Sequence, residues 1–238
     1  MIIVRSMHAD YRSNAYLVAD EPGGTAIFID SGAPLEPLLD AVAEHNLTVT
    51  HLLTTHEHHD HTLNNAVIEE RFDLAVMDTE RLLAAGTLST GGLSITVLST
   101  PGHVAEHASI LVNGTDCFTG DVLFQGTVGG TFGGGPDGYA QLRSSIMDTL
   151  LSLGDDVRIH PGHAAPSSIG EERANNPFIR YWLEGNAPVH EPARVYDHDA
   201  TLLVWARDYD DGYKALVEFA DGRTAIVGGS SVHRTTPA

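Results

Sequence analysis

A dense group of metal-ligand residue types lies in one short stretch of the chain. The run from Thr55 to His61 reads THEHHDH and contains four histidines and one aspartate. It directly follows the apolar, strand-like run 51–54. Imidazole and carboxylate together suit zinc, iron or manganese far better than calcium or magnesium. The stretch therefore predicts a transition-metal site.

Three further candidate ligands each come after an apolar run and a glycine-containing turn. They are His103 in the segment STPGH, Asp121 in FTGD and His163 in IHPGH. Side chains at the ends of neighbouring strands converge at one edge of an open α/β sheet. We therefore expect these three residues to join the His-rich stretch in one site, and we expect that site to hold two metals.

The bulk composition indicates a globular protein. With 238 residues and 42% hydrophobic content, the chain can bury a full core as one large domain, with or without a small extension. It has no long uncharged apolar run, which argues against a membrane span, and its first residues resemble a strand rather than a signal peptide. A single cysteine, Cys117, excludes an internal disulfide. We therefore expect a cytoplasmic protein.

The charge balance limits the partners. The chain has 32 acidic and 13 basic residues, a net charge of −19, and Lys214 is its only lysine. Such a surface repels phosphate backbones, so we expect a small-molecule substrate and neither nucleic acid nor a membrane as partner. Recognition of an anionic substrate would have to come from local arginines.

Apolar spacing predicts the elements that position the candidate ligands. Helical spacing appears over 35–42 and over 139–153, where Asp137 is a candidate cap, and Pro177 is expected to open a last helix. Strand-like runs flank the turns that carry the ligands, and they cover 16–19, 26–29, 93–99, 108–112, 116–119 and 157–160. Strands and helices in this alternation predict a mixed α/β body with helices covering sheets.

The sequence pattern of the chain changes after Gly185. Residues 186–192 resemble a linker, and strand-like runs follow at 201–207, 213–219 and 223–228. They predict a small β-meander, and so a division into a main domain, 1–185, and an extension, 186–238. A few strands are marginal alone, so the meander should pack on the main domain or mediate formation of a homo-oligomer.

The motif order resembles that of the metallo-β-lactamase superfamily. His56-x-His58-x-Asp60-His61 is followed by His103, Asp121 and His163 in the order that this family uses. Asp30, in the segment FIDSG, matches the family's early structural aspartate. The resemblance covers roughly residues 1–185 and implies a four-layer αβ/βα sandwich with the metals at one edge.

Within this superfamily the chain is most similar to the glyoxalase II-like (hydroxyacylglutathione hydrolase-like) branch. The segments TGDVLF at 119–124 and PGH at 161–163 carry that similarity. The resemblance implies two divalent metal ions, with zinc favoured over iron and manganese. By the same resemblance, the first metal would take His56, His58 and His103, the second would take Asp60, His61 and His163, and Asp121 would bridge them.

This ligand set predicts a metal-dependent hydrolase. Two close cations can hold a bridging hydroxide near neutral pH. We expect it to attack the carbonyl of a thioester of the hydroxyacylglutathione type, or a related ester, with Asp60 as the catalytic residue that orients it. A mononuclear iron persulfide dioxygenase, a lactonase and a non-enzymatic metal-binding module remain alternatives.

Some residues near the motifs have two interpretations. His107, four residues after His103, could line the pocket or support a ligand. His59 lies off the ligand pattern and is expected at the surface, whereas His160 is expected to pack in the core or at a sheet edge. Tyr139, beside the glycine-rich segment 126–138, could contact substrate, although its helical spacing favours packing.

Overall fold

The structure, a computed structural model, describes residues 1–234. Its strands are, in chain order, β1 (Ile2–Met7), β2 (Asn14–Ala19), β3 (Thr25–Ile29), β4 (Thr48–Leu53), β5 (Val76–Met77), β6 (Thr87–Thr90), β7 (Leu93–Ser99), β8 (Ala108–Val112), β9 (Asp116–Gly120), β10 (Leu123–Phe124), β11 (Thr127–Val128), β12 (Arg158–Pro161), β13 (Ser167–Ser168), β14 (Glu191–Val195), β15 (His198–Arg207), β16 (Tyr213–Phe219), β17 (Thr224–Gly228) and β18 (Val232–Arg234). Its α-helices are α1 (Glu36–Glu44), α2 (His59–Thr62), α3 (Asn65–Phe72), α4 (Thr79–Ala85), α5 (Gly138–Ser144), α6 (Ile169–Asn175) and α7 (Pro177–Glu184).

The chain divides into two compact units. Unit 1 comprises Met1–Ser99, Glu106–Gly120 and Arg158–Ala164. Unit 2 comprises Thr100–Ala105, Asp121–Val157 and the chain from Ala165 onwards. The domain boundary expected at residue 185 stays a prediction.

Unit 1 contains two sheets. In the first, the order is β1-β2-β3-β4-β5, antiparallel through β3 and parallel from β3 to β5. In the second, the strands of this unit follow the order β12-β9-β8-β7-β6, and only β12 and β9 are parallel. The strands predicted at 16–19, 26–29, 93–99 and 108–112 are confirmed, while β6 was not predicted.

Alternating side chains build the core of unit 1. Leu17 and Phe28 pack against Leu38 of α1 and Ile68 of α3 on one face of the first sheet. Their neighbours in sequence point the other way, so that Val18 and Ile27 pack against Ile95, Ile110 and Phe118 of the second sheet. The two sheets of unit 1 therefore face each other across one apolar layer.

Unit 2 contains the last helices and the C-terminal sheet. The C-terminal strands form an antiparallel sheet in the order β17-β16-β15-β14-β18. Its core includes Val195, Leu202, Val217 and Val227. Lys214, on β16, is 8% exposed, and its Nζ lies 3.0 Å from the carboxylate of Asp208. The predicted β-meander is thus confirmed, and two further strands extend it.

The linker expected at 186–192 was partly wrong. Glu191–Val195 forms β14, with Pro192 opposite Thr201 of β15. Proline cannot donate a backbone hydrogen bond and is rare within strands, so a strand that contains it is difficult to predict from sequence. The edge strand β18, on the other side of β14, pairs only with Ala193 to Val195, so Pro192 removes no hydrogen bond between these two strands.

The helix predicted over 139–153 is only partly α-helical. It begins as α5 and continues as a π-helical turn, Ser145–Thr149, and a 3-10 turn, Leu150–Ser152. The cap expected at Asp137 is wrong, because its side chain makes no capping hydrogen bond. The residue has φ −96° and ψ 2°, outside the extended conformation that lets a capping side chain reach the next N–H groups. In contrast, Pro177 opens α7 as predicted, with Asn176 as its cap.

Cys117 is buried within β9. Burial raises the pKa of its thiol to about 12, with a smaller contribution from the neighbouring carboxylate of Asp116. A thiol with so high a pKa carries almost no thiolate at neutral pH, and the thiolate is the nucleophilic form. Cys117 is therefore a packing residue. Across the described residues, no helix is long and apolar enough to cross a membrane.

Candidate metal centre

The His-rich loop between β4 and α2 is anchored by Asp30. The backbone N–H of Thr55 donates to Asp30 Oδ1 at 2.8 Å, and Thr55 Oγ1 donates to Asp30 Oδ2 at 2.8 Å. Asp30 itself is 2% exposed and has a left-handed backbone, with φ 56°. Aspartate tolerates that conformation better than most residues. The structural role predicted for Asp30 is therefore consistent with its contacts.

Asp30 also orients His61. The Nδ1–H of His61 donates to Asp30 Oδ2 over 2.8 Å, because an ionised carboxylate can only accept. This contact fixes the tautomer and turns Nε2 of His61 towards the Asp60 carboxylate, 3.8 Å away. A carboxylate behind a histidine ring is the usual outer partner of a metal ligand.

Asp60, His61 and His163 form a cluster within unit 1. One ligand atom from each lies within 4.8 Å of the others. His163 Nε2 is 3.4 Å from Asp60 Oδ2. Two ligands bound tetrahedrally to one ion at 2.0–2.2 Å are themselves about 3.4 Å apart, so this spacing fits a shared divalent cation. The two histidines are buried, and the Asp60 side chain is 25% exposed, so the cluster is open on the Asp60 side.

The turn that carries His163 is held by the start of β2. The backbone N–H of Asn14 donates to the Gly162 carbonyl at 2.7 Å. The Asn14 side-chain amide donates to the carbonyls of Pro161 and Ala164, each at 2.9 Å. Asn14 is fully buried, so these contacts fix the position of His163 from a second element.

His56 and His58 also approach each other. His56 Nε2 lies 3.0 Å from His58 Nδ1. The His56 ring is buried, and its centroid is 4.3 Å from that of His61 and 5.1 Å from that of His107. Five of the seven predicted ligands thus belong to unit 1, and the four imidazole rings among them cluster after the ends of β4 and β12.

The other two predicted ligands, His103 and Asp121, belong to unit 2 and face each other. His103 Nε2 lies 3.6 Å from Asp121 Oδ2, again near the spacing of two ligands on one ion. The Nδ1–H of His103 donates to the Gly130 carbonyl at 2.9 Å, which fixes this tautomer too. A Cβ at the preceding residue, Gly129, would lie 1.9 Å from the Asp121 carbonyl oxygen. The glycine-rich segment therefore supports both residues.

The structure settles three of the ambiguous histidines. His107 is fully buried beside His56, and a Cβ at Gly120 would meet its Nε2 at 2.5 Å. His107 therefore packs behind the ligand cluster. His160 is buried, its Nε2 bonds to Asp116 at 2.8 Å, and its ring stacks on Phe118, as expected for a core residue. His59 is exposed, as expected.

Gly32 is required by the close approach of the ligand loop. A Cβ at this position would lie 1.5 Å from the backbone oxygen of Asp60. We expect Gly32→Ala to displace Asp60 and His61, to lower the free energy of unfolding by at least about 3 kcal/mol and to weaken metal binding. Thermal unfolding and metal titration would measure both effects.

A matched control for this substitution is Gly228→Ala. At Gly228 an added Cβ would meet only Ser230 Oγ at 3.7 Å, an ordinary contact. We expect this variant to unfold within a few degrees of wild type. If Gly32→Ala were as stable as Gly228→Ala and bound metal normally, the close approach would not be needed for the site.

Known proteins resemble this chain in sequence. Residues 9–77 match the family model of the metallo-beta-lactamase superfamily. The hydroxyacylglutathione hydrolase GloC of Haemophilus influenzae is 30% identical over 200 residues, which cover 71% of this chain and 93% of that protein.

The chain belongs to the metallo-β-lactamase superfamily.

Other superfamily members confirm the fold. The crystal structure of ETHE1 from Myxococcus xanthus is 30% identical, with a TM-score of 0.66 over 79% of this chain and 92% of that one. TTHA1623 in a di-iron-bound form is also 30% identical, with a TM-score of 0.59 over 74% of this chain and 99% of that one. The predicted mixed α/β metallo-β-lactamase fold is therefore confirmed.

Family membership and the donor set together imply divalent metal ions and support a metal-dependent hydrolase. In unit 1 the imidazole nitrogens and the Asp60 carboxylate have the spacing and the outer-shell support that such ions need.

Proposed function

We propose that the protein is a dinuclear metal-dependent thioester hydrolase of the hydroxyacylglutathione hydrolase kind. The observation that carries the proposal is the Asp60 cluster, in which a half-buried carboxylate lies 3.4 Å from His163 Nε2 and 3.8 Å from His61 Nε2. The 30% identity to GloC of H. influenzae over most of that protein supports the thioester class.

The ligand assignment is part of the proposal. His56, His58 and His103 would hold one metal, and Asp60, His61 and His163 would hold the other, with Asp121 shared between them. The motif order of the family supports this division, as do the 4.7 Å separation of the His56 and His58 rings in unit 1 and the 3.6 Å approach of His103 and Asp121 in unit 2. Zinc is the proposed ion, because imidazole and carboxylate donors suit it and it needs no redox chemistry for hydrolysis.

The chain's own residues would prepare the reaction in three ways. When bound, two divalent ions supply hydroxide near neutral pH and polarise a carbonyl. Asp60 would orient the attacking water through its partly exposed carboxylate. Asp30 holds the proton of His61 on Nδ1, which leaves Nε2 available to a metal, and the Gly130 carbonyl does the same for His103. Cys117, the one thiol, is buried, which agrees with a mechanism that needs no protein nucleophile.

The alternative is a mononuclear iron persulfide dioxygenase. The 30% identity and TM-score of 0.66 with ETHE1 from M. xanthus are compatible with it. The two functions differ in metal content and in co-substrate: the hydrolase needs water, and the dioxygenase consumes oxygen. A lactonase would differ from the thioesterase in substrate alone.

Metal content and turnover together test the proposal. We expect freshly purified protein to contain about two equivalents of zinc per chain and to hydrolyse S-lactoylglutathione faster than lactones of similar size. Elemental mass spectrometry and a thioester assay would measure this, and removal of the metal with a chelator should abolish turnover, with zinc restoring it. About one equivalent of iron, with oxygen uptake on a persulfide and no thioester hydrolysis, would contradict the proposal.

A further inference from the structure

Unit 2 contains an aromatic cleft between the glycine-rich segment and the C-terminal sheet. Its volume is about 420 Å³, within the range of small-molecule sites. The residues that line it come from the segment before α5, from α5 itself and from strands β14 to β17 with their turns, and they include Thr131, Phe132, Tyr139, Tyr196, Phe219 and Arg223.

Exposed aromatic rings flank the cleft. Phe132 is 61% exposed and Tyr196 is 59% exposed, and their ring centroids lie 6.0 Å apart. Exposed apolar side chains scattered singly are common, whereas two adjacent rings beside one cavity offer a joint apolar surface that favours an aromatic ligand. Tyr139 lines the cleft as well, and its hydroxyl accepts a hydrogen bond from Trp182 Nε1 at 3.1 Å. That contact fixes the ring as part of the wall.

The charges around the cleft favour one anionic group. None of the described residues that line it is acidic, although the chain carries 32 acidic and 13 basic residues. Arg223 Nε donates to the Asp221 carboxylate at 2.7 Å, and its guanidinium lies 5.4 Å from the Phe219 ring centroid. These contacts hold the guanidinium against an aromatic wall, where its remaining N–H groups can meet a ligand. Because Asp221 offsets part of that charge, one anion is the limit.

The cleft is connected to a proposed metal ligand through two consecutive residues. The Thr131 N–H donates to the Ile226 carbonyl at 3.0 Å, and the Ile226 N–H donates to Thr131 Oγ1 at 2.9 Å. The residue before it, Gly130, accepts the Nδ1–H of His103 at 2.9 Å. A group that fills the cleft therefore contacts the same short segment that orients His103.

We propose that this cleft binds a flat aromatic group that carries, or lies next to, one anionic group. In the working enzyme this would be the part of the thioester substrate that lies beyond the scissile carbonyl. The assignment to the substrate rests on the proposed function, whereas the ligand chemistry of the cleft does not.

Two dyes that share a ring system separate the aromatic and the anionic parts of the proposal. We expect 1-anilinonaphthalene-8-sulfonate to bind the folded protein saturably, and N-phenyl-1-naphthylamine, which lacks the sulfonate, to bind more weakly. Phe132→Ala should weaken both dyes about tenfold. Arg223→Gln should weaken only the sulfonate dye, again about tenfold. Fluorescence titration would measure each dissociation constant.

Leu183→Ala is the matched control, because Leu183 is a 51% exposed apolar residue of unit 2 that does not line the cleft. We expect it to bind both dyes as wild type does. Absence of saturable binding, or equal losses in Leu183→Ala and Phe132→Ala, would overturn the proposal. Equal losses of both dyes in Arg223→Gln would overturn its anionic part.

A pair of thioesters then tests the assignment to the substrate. S-mandeloylglutathione carries a phenyl group where S-lactoylglutathione carries a methyl group. We expect Phe132→Ala to raise KM for the mandeloyl thioester about tenfold and to leave KM for the lactoyl thioester unchanged. Equal changes for both would contradict the assignment. Dye binding without hydrolysis of either thioester would reject the proposed function but support the ligand chemistry of the cleft. Hydrolysis without dye binding would support the function and reject the cleft as a binding site.

Discussion

Asp60→Asn should keep the fold and lose turnover. The substitution preserves the shape of the side chain but removes the negative charge that lies 3.4 Å from His163 Nε2 and 3.8 Å from His61 Nε2. Loss of even an outer-shell partner of a metal ligand costs about 10–100-fold in metal affinity or activity, so we expect at least about a 100-fold fall in kcat/KM. Asp60 is partly exposed, and the unfolding temperature without metal should change little.

Asp40→Asn provides the control for this variant. Asp40 is an exposed carboxylate on α1, so the control makes the same chemical change outside the cluster. Thioester kinetics and metal content would be measured for both variants. If Asp60→Asn were as active as Asp40→Asn at equal metal loading, Asp60 would be neither a ligand nor the residue that orients water.

The second large effect is expected at Asp30. Its carboxylate accepts hydrogen bonds from Thr55 N–H, Thr55 Oγ1 and His61 Nδ1, each at 2.8 Å, in a fully desolvated setting. Asp30→Ala would leave these donors buried without their acceptor, at about 1–3 kcal/mol each. We expect the free energy of unfolding to fall by about 3–5 kcal/mol. Metal affinity should fall about 10–100-fold, because His61 would lose its fixed orientation.

Denaturant unfolding with and without zinc would separate the two effects of Asp30→Ala. We expect the apo protein to be destabilised and, in addition, zinc to stabilise the variant less than it stabilises wild type. Asp40→Ala, on the exposed face of α1, is the control and should change neither quantity by more than about 0.5 kcal/mol. A destabilised apo protein with unchanged zinc affinity would assign Asp30 to the fold alone.

The sequence was informative where local pattern decides structure. Alternation in 16–19 and 26–29 sends Leu17 and Phe28 to one face and Val18 and Ile27 to the other, and β2 and β3 have that arrangement. Asn113-Gly114, a pair typical of tight hairpin turns, follows β8 directly, and both residues have the left-handed backbone of such a turn.

The parts that the sequence could not predict depend on contacts between distant residues. His107 became recognisable as a packing partner of His56 only when the chain folded, since a single buried histidine has no local pattern. Thr55 donates to Asp30 from 25 residues away, and no local sequence pattern predicts that contact. Pro192 made β14 difficult to predict. The π-helical turn after α5 lies in a stretch whose apolar spacing predicts a regular α-helix.

The candidate site shows the same division. The ligand residues were visible because seven imidazole and carboxylate side chains recur at strand ends in one order. The aromatic cleft was not, because Phe132 and Tyr196 are far apart in sequence and each alone is an ordinary surface aromatic. Tyr139, for which packing was favoured, both packs and lines the cleft, so the two interpretations are compatible.

The buried ion pair of Lys214 limits the reaction of this lysine with amine-directed reagents. Lys214 is the one lysine of the chain, its side chain is 9% exposed, and its Nζ is held 3.0 Å from Asp208 beside the Tyr209 ring. Acylating reagents and amine-directed crosslinkers need an accessible amine, and this buried side chain does not offer one. We therefore expect almost no labelling of Lys214 in the native protein and full labelling on unfolding. The extent of labelling would report the opening of the C-terminal sheet.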